Sequence, residues 1–112
     1  MKDLTKRRAI RSKAIRASAH GELCTWPGCD SPNGVVFAHS NMSVHGKGTG
    51  RKSCDIFGAY MCHEHHTKYD EAAYRGSVSY FCAYESHFMR AMSETWKRLV
   101  YKGIIKIEGH EP

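Results

Sequence analysis

Ten residues in the middle of the chain, Met61–Asp70 ("MCHEHHTKYD"), carry one cysteine, three histidines and two acids. Among them Cys62 and His65 form a C-x2-H pair. Upstream, Cys24 and Cys29 form a C-x4-C pair inside the turn-rich stretch "CTWPGCDSPNG". Two such pairs, distant in sequence, can close a tetrahedral site: a tight turn offers two thiolates, and the start of a helix offers a thiolate and an imidazole. Four ligands of this softness favour Zn2+. With all four positions filled, the expected site is structural, supplying folding energy that a chain of 112 residues draws only sparingly from its core. His63 is a poorer alternative to His65, because a residue adjacent to Cys62 chelates badly. Of the remaining cysteines, Cys82 is expected in the core and Cys54 receives no role.

A second set is formed by His39, His66 and Asp70. His66 and Asp70 stand at i and i+4, so on a helix both side chains lie on one face. An imidazole and a carboxylate one turn apart can hold a divalent ion with positions left open for phosphate and water. His39 closes the short β-favouring run "VVFAH". The loop "SVHGKGTGRKSCD" (residues 43–55) lies between the two parts, rich in glycine and lysine. It lacks the spacing and the following helix of a nucleotide-triphosphate loop. A basic loop beside a phosphate is the better reading. His20, His45, His87 and His110 receive no functional assignment.

The elements that must position these residues follow from pattern. Residues 3–19 lack Gly and Pro and predict a basic helix with a thin apolar stripe, weakly docked and ending near Gly21. Residues 35–39 and 56–61 predict two short strands. A helix is predicted from Cys62 to about Tyr74, broken at Gly76. From Ser77 to Tyr101, apolar residues (Tyr80, Phe81, Tyr84, Phe88, Met92, Trp96 and Leu99 among them) recur at spacings of three and four, which predicts a long helix packed over the strands. "GIIKI" (residues 103–107) predicts a last short strand. The expected class is α+β: a small zinc-braced ββα unit with a basic N-terminal helix and a long C-terminal helix. The expected division is an arm over 1–20 and a metal-containing domain over 21–112.

The net charge of +6 is unevenly placed. Lys2, Lys6, Arg7, Arg8, Arg11, Lys13 and Arg16 precede residue 17 with Asp3 as the sole acid, which leaves ten basic and ten acidic residues in the remainder. A basic arm of this kind gives salt-sensitive, sequence-independent contact with a phosphate backbone. No apolar run is long enough to span a membrane and none follows the basic N-terminus as a signal peptide would, so a reducing cytoplasm is expected. There, clustered Cys and His point to metal rather than disulfide.

Taken together, "AHSNMSVHGKGTGRKSCDIFGAYMCHEHHTKYD" resembles the HNH, or His-Me finger, nucleases, and more narrowly the small phage and prophage nuclease-like proteins of the YbcO type. The matching residues are Ala38-His39, Gly48-Thr49-Gly50, Lys52, Asp55, Cys62, His65, His66 and Asp70, and the resemblance covers residues 24–70. It implies a metal-dependent endonuclease acting on DNA in a bacterial host cytoplasm. His39 would be the general base on water. His66 with Asp70 would hold Mg2+ or Mn2+. Lys52, with Arg51, would neutralise phosphate oxygens, and Asp55 would ligate metal or orient His39. DNA would be met by the arm and the Gly/Lys loop, and a homodimer would suit double-strand cleavage. The chain departs from the pattern at Ala38, where many relatives carry an acid or a second histidine, which leaves open that His39 itself is a metal ligand. His65 stands where relatives often have cysteine. Asn41 is the nearest counterpart to the middle Asn. The alternative is a zinc-stabilised nucleic-acid-binding module without catalysis. A third reading, a protein-interaction zinc domain, accounts for the Cys/His set but not for the arm.

Overall fold

Two short strands, β1 (Val36–His39) and β2 (Gly58–Met61), pair antiparallel with Phe37 opposite Tyr60, Ala38 opposite Ala59 and His39 opposite Gly58. The computed structural model describes residues 9–48, 50–73 and 78–111, with backbone alone for 78–80. Lys2, Lys6, Arg7 and Arg8 of the arm, Thr49 of the loop, the expected helix end at Tyr74 and break at Gly76, and the Tyr80 side chain lie outside the described residues. Gly58 is required by close approach: a Cβ there would stand 2.4 Å from the Phe37 ring and 2.8 Å from the Ala38 carbonyl oxygen.

Strand alternation divides the core into two clusters. Ala38, Ala59 and Met61 pack with Cys24, Tyr69, Phe88 and Met92. Tyr60 packs with Ile15, Ala19 and Leu99, joined by Phe37. A two-stranded ribbon is marginal by itself. Here the outward backbone groups of Tyr60 on β2 are met by two threonines: Tyr60 N–H donates to Thr95 Oγ1 at 3.1 Å, and Tyr60 C=O accepts from the Thr25 backbone N–H at 2.7 Å and from Thr25 Oγ1 at 2.8 Å.

Among the described residues three α-helices pack on the ribbon: α1 (Lys13–Ala17), α2 (His63–Ala72) and α3 (Val78–Tyr101). The long C-terminal helix packs across β2 as its apolar spacing requires. Cys82, expected in the core, is exposed. The N-terminal helix is far shorter than the unbroken pattern of residues 3–19 predicts. Among the described residues, 9–12 are not helical, and Ser12 caps α1 by accepting the Ile15 N–H at 3.2 Å. Its docking is also firmer than a thin stripe suggests, since Ile15 and Ala19 are buried. Residues 103–107 form no strand. Gly103 (φ +74°) lets the chain reverse after α3, and the N–H groups of Ile104 and Ile105 bond to Leu99 C=O at 3.0 and 3.2 Å. These bonds close the segment back on the end of α3 instead of pairing it with the sheet. The observed architecture is a small α+β fold with a two-stranded sheet. Among the described residues no helix is long and apolar enough to cross a membrane.

Candidate functional site

The Cys24–Cys29 turn is built by Gly28, whose φ of +80° suits glycine, and by the Cys29 N–H donating to Trp26 C=O at 3.0 Å. Cys62 is the N-cap residue of α2 and places its thiol at the positive end of the helix without spending it on a cap bond. His65 follows one turn later. The four ligand atoms of Cys24, Cys29, Cys62 and His65 all lie within 4.8 Å of one another. Cys29 Sγ is 3.9 Å from Cys62 Sγ, and His65 Nδ1 is 3.3 Å from Cys62 Sγ and 3.8 Å from Cys24 Sγ. Metal–sulfur bonds of about 2.3 Å and metal–nitrogen bonds of about 2.0 Å at tetrahedral angles give edges of roughly 3.5–3.8 Å. A metal ion such as zinc therefore fits the cluster.

The electrostatics agree with that use. Burial pushes the Cys24 thiol up to about 12, so ionising it in place needs a cation beside it. Burial also lowers the His65 imidazole, favouring the neutral, ligating form. Trp26 stacks on the His65 ring with centroids 5.3 Å apart and on His87 at 5.6 Å, which fixes the ligand's orientation. Cys54, outside this set, accepts the Ile10 N–H at 3.4 Å.

His39, Asp55, His66 and Asp70 form two pairs rather than one set. In the first, His39 Nε2 lies 2.7 Å from Asp55 Oδ1. Asp55 is only 1% exposed. Its Oδ2 accepts the Ser12 N–H at 2.7 Å and a close contact from Arg16 Nη1, and Arg11 Nη1 stands 3.5 Å from Oδ1. Burial would raise the Asp55 carboxyl. His39, the Ser12 N–H and Arg16 outweigh it and hold the group below the ordinary carboxylate range. In the second pair, His66 Nε2 and Asp70 Oδ2 are 3.2 Å apart, with side chains 37% and 48% exposed. The Asp70 hydrogen bond raises the His66 imidazole against burial. Burial would raise Asp70, but His66, Asn41 and nearby Lys47 lower it. Asn41 Nδ2 donates to Asp70 Oδ1 at 3.1 Å, and Asn41 N–H donates to Tyr69 Oη at 2.9 Å.

The two pairs are thus linked through the two residues that follow His39, yet their side chains diverge. Ala38 faces the Tyr69 side of the ribbon, while His39 shares the Phe37 face and meets its ring edge-on at 5.3 Å. Among the described residues, the Cys24–Cys29–Cys62–His65 cluster is the one group of three or more ligating side chains. Lys52 and Arg51 are exposed on the loop, where Lys52 C=O accepts from Arg11 Nη2 at 2.9 Å.

Comparison with protein-family models, with curated proteins and with solved structures finds no match to this chain. Its residues must therefore carry the functional argument unaided. Sequence reasoning placed Arg11 and Arg16 in a general basic arm, although they converge on Asp55. It also left Lys47 unassigned. No spacing signal could have found these residues, because Arg11 and Arg16 reach Asp55 only when α1 docks against the loop.

Proposed function

We propose that the chain is a divalent-metal-dependent endonuclease of the His-Me finger type acting on DNA, with a ββα core formed by β1, β2 and α2. Cys24, Cys29, Cys62 and His65 hold a structural zinc in this reading. The observation that carries the proposal is the His39–Asp55 pair at the end of β1. An ionised carboxylate accepts only, so His39 Nε2 donates to it, and in the neutral imidazole Nδ1 is the acceptor nitrogen. A base oriented by a buried carboxylate is what abstraction of a proton from water needs. His66 and Asp70, half exposed one turn apart, would hold the divalent ion, which supplies positive charge to the phosphate and the departing oxygen. Asn41 fixes Asp70 and ties α2 to the strand that carries His39. Lys47, Arg51 and Lys52 bring the basic loop alongside.

The test is plasmid nicking with Mg2+ or Mn2+ by the wild type beside His39→Ala, with zinc content and melting temperature measured on both. Loss of nicking in a folded, zinc-loaded variant is expected. Equal nicking by the two proteins would refute the assignment of His39. The second reading is a zinc-stabilised nucleic-acid-binding module, favoured by the divergence of His39 from the His66–Asp70 pair. Salt-sensitive DNA binding with no cleavage of duplex, branched or single-stranded DNA would establish it instead.

A further inference from the structure

The basic arm contributes to the His39 site. Among the described residues Asp55 is the one carboxylate bonded to His39, Arg11 and Arg16, and both of its oxygens are occupied: His39 on one, Arg16 and the Ser12 N–H on the other. The imidazole and the Arg16 guanidinium are therefore separated by no more than one carboxylate group. A guanidinium has five N–H donors. Arg16 spends one on Asp55, and its remaining donors have no partner among the described residues. Its side chain is 43% exposed. Arg11 is held more fully, by Ser53 C=O at 2.5 Å and Lys52 C=O at 2.9 Å, and is 41% exposed. Two arginines thus face one carboxylate, so among the described residues the two cations outnumber the acid they share. Arg11 is accounted for by its two carbonyl bonds to the loop; the open donors of Arg16 take no part in that anchoring.

We propose that Arg16, fixed by Asp55, binds the nucleic-acid phosphate that lies next to His39, with Arg11 as its backbone-tethered neighbour. The planar fork of arginine suits a phosphate's paired oxygens, and a fork already held on a carboxylate loses little freedom on binding. The ligand class is a phosphodiester of a nucleic acid backbone. The inference rests on the nuclease reading for the chemistry at His39 but not for the binding of phosphate.

Arg16→Ala, Arg16→Lys and the exposed control Lys106→Ala are compared with wild type in two assays. The first is the salt dependence of duplex-oligonucleotide binding without added Mg2+. The second is nicking with Mg2+. Removing one phosphate contact lowers the magnitude of the log–log salt slope by about 1. Arg16→Ala is expected to show that loss beyond any change in Lys106→Ala. Arg16→Lys keeps the ion pair to Asp55 but not the fork, so kcat/KM for nicking should fall by at least about tenfold at unchanged melting temperature. A folded Arg16→Lys with wild-type kcat/KM overturns the proposal, as does a folded Arg16→Ala whose slope matches that of Lys106→Ala. Should Arg16→Ala fail to fold, Arg16→Lys decides. If the wild type cleaves nothing while Arg16→Ala still loses the slope, the phosphate site stands and the nuclease reading falls.

Discussion

Asp55→Asn removes one negative charge from a position where four groups converge. His39 and the Ser12 N–H are held at 2.7 Å each, Arg16 is closely paired, and Arg11 stands at 3.5 Å. The amide retains one acceptor oxygen for the Ser12 N–H and presents its NH2 to His39, so both bonds lose the carboxylate's charge and His39 keeps its bond only as the opposite tautomer, with Nε2 accepting. A hydrogen bond to a charged group is worth about 1.5–3 kcal/mol. The two arginines are 41% and 43% exposed and return to water, so their pairs add at most about 1 kcal/mol together. The loss should be roughly 2–4 kcal/mol, a large share of the stability of about 5–15 kcal/mol usual for a domain. Urea unfolding at pH 7 with constant zinc measures it. The pH dependence follows with a definite sign. The folded-state pKa of Asp55 lies below its ordinary value of 3.8, so its contribution is present above that value and is lost as pH falls through the folded pKa. Wild type should therefore shed stability on the acid side of that value, and Asp55→Asn should shed less. A loss under about 0.5 kcal/mol at pH 7, within the range of ordinary surface substitutions, would refute the view of Asp55 as the group that locks α1 to His39.

Two further outcomes concern the metal cluster and the core. In the proposed zinc site, Cys24→Ser should lower zinc uptake from the one ion per chain expected of the wild type toward none and unfold the domain at room temperature. Metal analysis and circular dichroism check it, since zinc binding in small zinc domains is worth about 10–16 kcal/mol. Glu85 is buried, its carboxyl oxygens have no hydrogen-bond partner among the described residues, and burial raises its pKa despite the facing Tyr69 hydroxyl. A carboxyl raised in this way contributes stability below its unfolded pKa and loses it as pH rises through the folded one. Glu85→Gln should thus be more stable than wild type at pH 7 and closely similar at pH 4, as urea unfolding at the two values would record.

Much of the local structure is legible in the order of residues. The run "VVFAH", the return strand before Cys62 and the three-and-four spacing of Phe88, Met92 and Leu99 each identify an element with little help from context. The limits appear where tertiary contacts set an element's extent. A helix over residues 3–19 satisfies intrinsic propensity, yet Asp55 takes the Ser12 N–H and α1 begins at Lys13. Apolar residues 103–107 suit a strand by composition, but the chain reverses at Gly103 and the Ile104 and Ile105 N–H groups bond back to Leu99 C=O. Cys82 follows the apolar stripe of α3 closely enough to suggest burial and still faces outward.

The sequence by itself determined the Cys/His cluster that can hold a metal ion, because chelation depends on ligand type and short spacing. Cys24–Cys29 and Cys62–His65 carry both in adjacent residues, and the fold needs only to bring two preformed halves together. It likewise determined the His66–Asp70 pair, since one helical turn fixes that contact. The tertiary structure alone decided what Asp55 does and where the arm goes. His39, Arg11, Arg16 and Asp55 are separated by sixteen to forty-four positions from their partners, and no local periodicity encodes such contacts. They form because α1 and the turn after it bury Ile15 and Ala19 against Tyr60 and Leu99, which carries the arginines to a carboxylate buried beside the strand.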